Sequence, residues 1–358
     1  MGQAMYDPSM KIKQQGQETA FDRLQGFSIT GSSKAMRQQM LEDTFVLQDL
    51  ALLGQWTVFY GAPNAGKTLI TLWLLKEVLE SLSLDGDHVF YINSDDNYRG
   101  LTEKVELAEK WGFHMIAPNQ KSFKNSDIIE LMTELAESGA ARGTVIVLDT
   151  LKKFTDLMQK REAAEFGIIS RSFVSSGGTL ICLAHVNKHK NSEGKSVFAG
   201  TSDIRDDADC AFIIDKVGGQ LFEDEIAVEF VNHKARGDVS ERVSFSYSKR
   251  YGQSYAELVE SVARIDDQKV DQLKLKAEVT QKLDEDAAAI SAVFKAIKAG
   301  ITSKAAIIKN AGHETGISHK TIRRVLDERE GAVYSLGHRW QVEIGKHNKS
   351  TYSTLAET

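Results

Sequence analysis

Six short apolar runs punctuate the chain between residues 56 and 231, each bounded by polar or glycine-containing segments. They are WTVFYG (56–61), HVFYIN (88–93), TVIVLD (144–149), TLICLA (179–184), CAFIID (210–215) and IAVEFV (226–231). Several are apolar at every position, as a strand covered on both faces requires. Between them the hydrophobic period lengthens and predicts helices over 67–82, 98–112, 126–138 and 160–176. A further strand, RVSFSYS (242–248), is expected to hairpin back. This alternation predicts an α/β domain with a mostly parallel sheet over 21–263, preceded by a polar, flexible tail at 1–20.

The pattern changes after Ala263. RIDDQKVDQLKLKAEVTQKLDEDA is charged and lacks Gly and Pro, and 264–286 is read as a partly helical linker. A small domain is expected over 287–358. Its first helix places Ile290, Val293, Phe294 and Ile297 at i, i+3, i+4 and i+7, and Gly300 closes it. A second helix follows, capped by Thr302 or Ser303. In the third, Ser318 is the N-cap, Ile317 can staple onto Ile322, and Ile322, Val325 and Leu326 form the buried stripe. His319, Lys320, Arg323 and Arg324 are then left exposed, as a groove-reading helix needs. AVYSLGHRWQVEI (332–344) is read as a hairpin with Leu336, Gly337 and His338 near its tip and Arg339 beside it. Three helices and a basic hairpin predict a winged helix-turn-helix that binds duplex DNA; a protein-docking winged helix is the alternative.

Charge sharpens the division. The net charge is −6, so any contact with nucleic acid must come from a local patch. Residues 286–358 carry 11 Lys and Arg against seven Asp and Glu, which leaves the remainder near −10. Cys182 and Cys210, the two cysteines, sit in apolar runs and are expected as reduced, buried thiols. No run approaches the length of a membrane span, and the first twenty residues have no apolar core, so a cytoplasmic protein without a membrane partner is expected.

The candidate chemistry begins at GAPNAGKT, which fits G-x-x-x-x-G-K-[ST] between a strand and an amphipathic helix. Gly61, Ala62, Pro63, Asn64, Ala65 and Gly66 form a loop whose N–H groups, with those of Lys67, Thr68 and Leu69 at the helix start, can face phosphate oxygens. Lys67 is expected on the β- and γ-phosphates of ATP, and the Thr68 hydroxyl on Mg²⁺. Asp149, closing TVIVLD, is expected at the carboxyl edge of the sheet, where it can hold the same ion.

Five segments in this order resemble the RecA-like P-loop ATPases, in particular the hexameric branch of DnaB-type and plasmid RepA-type helicases. They are GAPNAGKT; YINSDDNYRGL; TVIVLDT; ICLAHVNK; and AGTSDIRDDADCAFII followed by FVNHKARG. The resemblance covers about 40–250 and implies ATP bound between subunits of a homo-oligomer, a hexamer in that branch. It implies that Lys234 and Arg236 reach the γ-phosphate held by a neighbour. It implies that His185 senses that phosphate and relays its loss to the loop that follows. Where the family has a Glu to polarise the attacking water, this chain has Asp95, one methylene shorter and beside Asp96. Either aspartate could instead cap the next helix.

Lys188, Lys190 and Lys195, in NKHKNSEGKS, are expected to face single-stranded DNA in the ring's channel. Lys152, Lys153, Lys160 and Arg161 are further basic candidates. The function expected is an oligomeric, ATP-hydrolysing DNA motor, a helicase or translocase of the replicative type from a mobile element. The alternatives are an ATP-switched DNA-binding regulator that does not unwind, and a helicase-loading adaptor.

Overall fold

The computed structural model describes residues 19–39, 44–187, 198, 203–218, 224–248, 250–345 and 350–356. It divides into two units, Met1–Glu42 and Asp43–Thr358. Residues 1–18 of the expected tail lie outside the described residues. A helix, α1 (Ala20–Gly26), begins at Ala20, where Thr19 and Asp22 form a reciprocal capping box. A second short helix, α2 (Ser33–Gln39), completes the first unit. The strands begin after this unit, at Phe45.

The second unit opens with a small antiparallel pair, β1 (Phe45–Leu47) and β2 (Ala51–Leu52). The main alternation then runs β3 (Trp56–Gly61), α3 (Lys67–Glu80), β4 (Val89–Asn93), α4 (Tyr98–Trp111), β5 (His114–Ile116), α5 (Asp127–Ser138), β6 (Val145–Asp149), α6 (Lys160–Ser175) and β7 (Thr179–His185). It continues through α7 (Asp203–Asp207), β8 (Cys210–Lys216), β9 (Glu225–Lys234), β10 (Arg242–Ser248), α8 (Tyr255–Glu260) and β11 (Ala263–Ile265). Among the described residues nine strands form one sheet, in the order β11-β10-β9-β8-β3-β7-β6-β4-β5. From β8 to β5 every pairing is parallel; β9, β10 and β11 add antiparallel pairings at the other side.

The apolar runs become strands because both faces of the sheet are covered. Successive side chains alternate between two cores, as the two-residue strand period demands. Phe59, Val145, Val147, Ile181 and Leu183 belong to one core, with the leucines of α3 and with Leu107 and Trp111 of α4. Val58, Tyr60, Ile146, Leu148, Leu180 and Cys182 belong to the other, with Ile128 and Met132 of α5 and Phe166 and Phe173 of α6.

The segment expected as a linker is largely one helix, α9 (Asp267–Glu285), and it is tied to the sheet. Val270 and Leu273 are buried against Val217 and Ala227. Lys274 donates to both carboxylate oxygens of Glu229 at 2.7 and 2.8 Å, and Arg242 reaches Asp271 at 2.8 Å. A polar helix with two core contacts per nineteen residues gives almost no periodic signal, hence the difference.

Beyond it, α10 (Ala287–Lys298), α11 (Lys304–Thr315) and α12 (His319–Glu328) pack around Trp340 and Tyr352 of an antiparallel pair, β12 (Trp340–Ile344) and β13 (Ser350–Thr354). The buried stripe of α10 runs through Ala289, Ala292, Val293, Ala296 and Ile297. Phe294 turns outward beneath the Lys298 ammonium. The hairpin is displaced from the expected 332–344. Residues 334–336 make a 3₁₀ turn, and the strands begin at Trp340 because its ring is the core anchor and its Nε1 donates to the Leu326 carbonyl at 2.7 Å.

Where α9 meets α10, Asp286 accepts from Arg329 at 2.7 Å and from Arg324 at 2.6 Å. Burial alone would raise the Asp286 carboxyl, but hydrogen bonds from Arg324 and Arg329 hold it below its ordinary value. Its contribution is therefore present above the ordinary carboxylate range and lost as pH falls. The Asp286 and Arg329 side chains are 7% and 6% exposed, against 47% for Arg324. Asp286→Ala is expected to destabilise this subdomain by about 3–5 kcal/mol, because it strands a buried guanidinium. Arg324→Ala is expected to cost less than about 1 kcal/mol. Hydrogen exchange of the α12 amides checks both.

Candidate active site

At the carboxyl ends of the parallel strands, β3 turns into α3 through residues 61–66, and the turn needs its glycines. Gly66 holds φ +88°, and a Cβ there would lie 2.9 Å from the Tyr247 ring. A Cβ on Gly61 would lie 3.1 Å from the Ile214 carbonyl oxygen. Asn64 also adopts a left-handed φ of +58°. No side chain caps the first turn of α3, so its N–H groups stay available to an anion. Ala62, Pro63 and Asn64 are exposed, whereas the Ala65 and Leu69 side chains belong to the core; only their backbone faces the loop. Lys67 is buried and folds back over the turn, donating to the carbonyls of Gly61 and Ala62 at 2.8 and 2.9 Å. Burial pulls its ammonium down to about 8, against the opposing influence of Asp149 and Asp95.

Asp149 ends β6 directly beside Asn93 of β4. Its Oδ2 accepts from the Thr68 hydroxyl at 2.7 Å and from the Tyr91 hydroxyl at 2.8 Å. Burial raises its carboxyl above the ordinary value, and these two hydrogen bonds oppose the rise. Asn93 organises the turn that follows. Its Oδ1 accepts the N–H groups of Asp95 and Asp96 at 3.3 Å each, and its Nδ2 donates to Asp96 at 2.5 Å. Asp96 is further engaged by the buried ammonium of Lys104. Asp95 is left exposed, 3.8 Å from Lys153. Neither aspartate caps α4; Asn97 does, accepting from the Gly100 N–H at 3.0 Å.

His185 pairs in register with Gly61. Neither ring nitrogen has a well-formed partner among the described residues, although both are buried. Burial, then Lys67 and Lys152, lower its pKa and keep the ring neutral near pH 7, with one donor and one acceptor to offer. Loop, aspartates and histidine line one cleft of about 450 Å³. Tyr247, Tyr255 and Lys104 also line it, and sequence reasoning missed all three. The Lys104 ammonium lies 4.6 Å from the Tyr255 ring centroid. Tyr255 begins a helix whose S-x-x-E capping box, Ser254 with Glu257, was a readable signal.

Lys234 and Arg236 are not in this cleft. β9 extends through Lys234, three residues beyond the predicted strand end, because it stays paired with β8. Lys234 pairs with Ala211, whereas Gly61 pairs with Ile214. Three residues of strand put Lys234 about 10 Å back from the loop's level. Arg236 lies farther still, with Nη1 3.2 Å from Asp209 Oδ1. Both cations therefore stand at the amino edge of the sheet, away from their own chain's cleft.

Lys188, Lys190 and Lys195 lie outside the described residues. The foot of that segment is described: Val186 bridges to Phe198. The Phe198 ring meets Tyr60 edge-on at 4.7 Å and His233 at 5.4 Å, beneath the Arg205 guanidinium.

In the C-terminal subdomain His319, Lys320 and Arg323 are exposed on α12. Arg324 is committed to Asp286 and, at 2.7 Å, to Glu328. Arg339 is also withdrawn. It stacks on Tyr334 at 4.0 Å and donates to the carbonyls of Tyr334 and His338, so it does not tip a wing. The segment joining β12 to β13 at 346–349 lies outside the described residues.

The cleft can take an anion: an uncapped helix start and a buried ammonium face it, and His185 is among its lining residues. Thr68 and Asp149 offer the hard oxygen donors that Mg²⁺ takes. Among the described residues no three His, Cys, Asp or Glu side chains form a metal-binding group. No protein-family model matches the chain, and no curated protein does.

Lys67 has a pKa of about 8 here against an ordinary 10.5. In that window the unfolded chain binds more protons, so the fold gains stability as pH rises while affinity for an anion falls. Tripolyphosphate is therefore expected to bind with proton uptake at pH 9 and with little at pH 7. Calorimetry in two buffers of different ionisation enthalpy measures this; equal uptake at both pH values would remove Lys67 from the contact.

Proposed function

We propose that the chain is a RecA-like P-loop ATPase that works as a homo-oligomer on DNA, with a C-terminal winged helix that engages duplex. The observation that carries this reading is the 2.7 Å pairing of Thr68 with Asp149, which brings the loop after β3 and the acid closing β6 to one point of the sheet edge.

In this reading the loop N–H groups and Lys67 hold the phosphates of ATP. Thr68 and Asp149 hold Mg²⁺, whose charge offsets that of the phosphates. Asp95 accepts a hydrogen bond from the attacking water, and its exposure leaves room for one. His185, neutral and beside Gly61, supplies the donor that registers the terminal phosphate. The chemistry is positioning and electrostatics, with no covalent intermediate on the protein. Charge on the transferred phosphoryl group has to be met by cations, and Lys234 and Arg236 stand too far from their own cleft to do it. A second copy supplies them. That separation supports an intersubunit site, and a ring satisfies it at every subunit. His319, Lys320 and Arg323 form the solvent face of α12 offered to duplex.

One observation favours a second reading, an ATP-switched DNA-binding protein that does not unwind. The candidate base is an aspartate tied to Lys153, which suits slow turnover. Strand displacement assays with single-turnover hydrolysis separate the two.

Lys67→Ala is expected to abolish hydrolysis. Arg236→Ala should leave nucleotide binding intact and cut turnover on the order of a thousandfold. Full turnover in that variant would refute the intersubunit site. Lys320→Ala with Arg323→Ala should weaken duplex binding and lower its salt slope by about 2 while basal hydrolysis is unchanged. Fluorescence anisotropy across a salt series reads both quantities.

A further inference from the structure

We propose that the turn from Asp206 to Asp209 is the positioning element for the intersubunit cations, and that it recruits Arg171 as a third member of the set. The inference rests on the intersubunit reading above and deepens it.

The sequence singles out DDADC without giving it a task. The structure gathers four donors on it. Lys234 Nζ donates to the carbonyl of Arg205 at 3.1 Å and to that of Asp206. Arg171 Nη2 donates to the carbonyl of Asp207, and its Nη1 reaches both carboxylate oxygens of Asp209 at 3.0 Å. Arg236 Nη1 donates to Oδ1 of the same carboxylate at 3.2 Å. The Trp56 N–H, which opens β3, donates to Oδ2 at 3.0 Å. Carbonyls ending a helical turn and one buried carboxylate therefore answer cations from α6 and from the end of β9.

The exposures are unequal in a telling way. The Asp209 side chain is 8% exposed and cannot turn away, while Arg236 is 58% exposed. One Nη of Arg236 is anchored and the rest of its fork stays open to an incoming anion. A guanidinium held in this way loses little rotamer freedom when it meets a phosphate. Without the carboxylate, Arg171, Lys234 and Arg236 would repel one another at a single edge. The lowered pKa of Lys234, set by burial and then by Arg236, agrees with that crowding.

The test uses mixed oligomers of full-length chains. Lys67→Ala subunits keep the cations but cannot turn over ATP; Arg236→Ala subunits keep the loop but lack the finger. Mixing them should restore hydrolysis, and failure to do so would refute the intersubunit site itself. Asp209→Asn, which keeps an oxygen for the Trp56 N–H, is then added to one partner at a time. On the Lys67→Ala partner it should reduce the restored rate by on the order of tenfold or more. On the Arg236→Ala partner it should change nothing. A general structural defect would act from either side, so equal losses, or no loss from the Lys67→Ala side, overturn the proposal. If the double variant does not assemble, Arg171→Gln replaces it in the same design with the same one-sided loss expected.

Discussion

β3 is buried on both faces and flanked by parallel neighbours, so nothing reactive can be mounted along its length. Chemistry is confined to its two ends. At the carboxyl end the backbone must reverse tightly into α3 under the Tyr247 ring, and the turn that does so leaves amide hydrogens unspent. At the amino end the first N–H of the strand needs an acceptor, and Asp209 supplies it. Among the described residues of this domain, the candidate groups named above gather at one of these two ends.

Each end carries charges of both signs: Asp95, Asp96 and Asp149 with Lys67 and Lys104 at the first, and Arg171, Lys234 and Arg236 around Asp209 at the second. On the reading proposed here, head-to-tail association brings the second edge of one copy to the first edge of the next, with one kind of contact throughout. On the same reading, that separation would keep a lone subunit from completing its own site.

Much of this was legible from residue pattern, for physical reasons that differ by element. The central strands were readable because burial on both faces leaves no polar position in them. The loop, Lys67, Thr68 and Asp149 were readable because the conformations required there admit few residue types. β5 was not, since an exposed histidine followed by two half-buried residues looks like loop. α9 was read as a partly helical linker, and its hold on the sheet went unread because few of its contacts are apolar. The hairpin slipped because Leu336-Gly337 resembles a turn more than Trp340 resembles the start of a strand. Tyr91, Tyr247, Tyr255 and Arg171 are ordinary in their local context. Strand register and helix placement bring them to the two edges, and neither can be read from neighbours in sequence. Arg324 and Arg339 were exposed by periodicity but claimed by Asp286 and Tyr334, partners that only the fold supplies.

Phe198 gives the domain a mechanical property that follows from close packing alone. Its ring is wedged between the residue preceding Gly61 and the residue preceding Lys234, and its backbone bridges to the residue following His185. Displacing Phe198 would therefore disturb Tyr60 on β3, His233 on β9 and Val186 just past β7 together, so the ring couples three strand ends that are not all adjacent in the sheet.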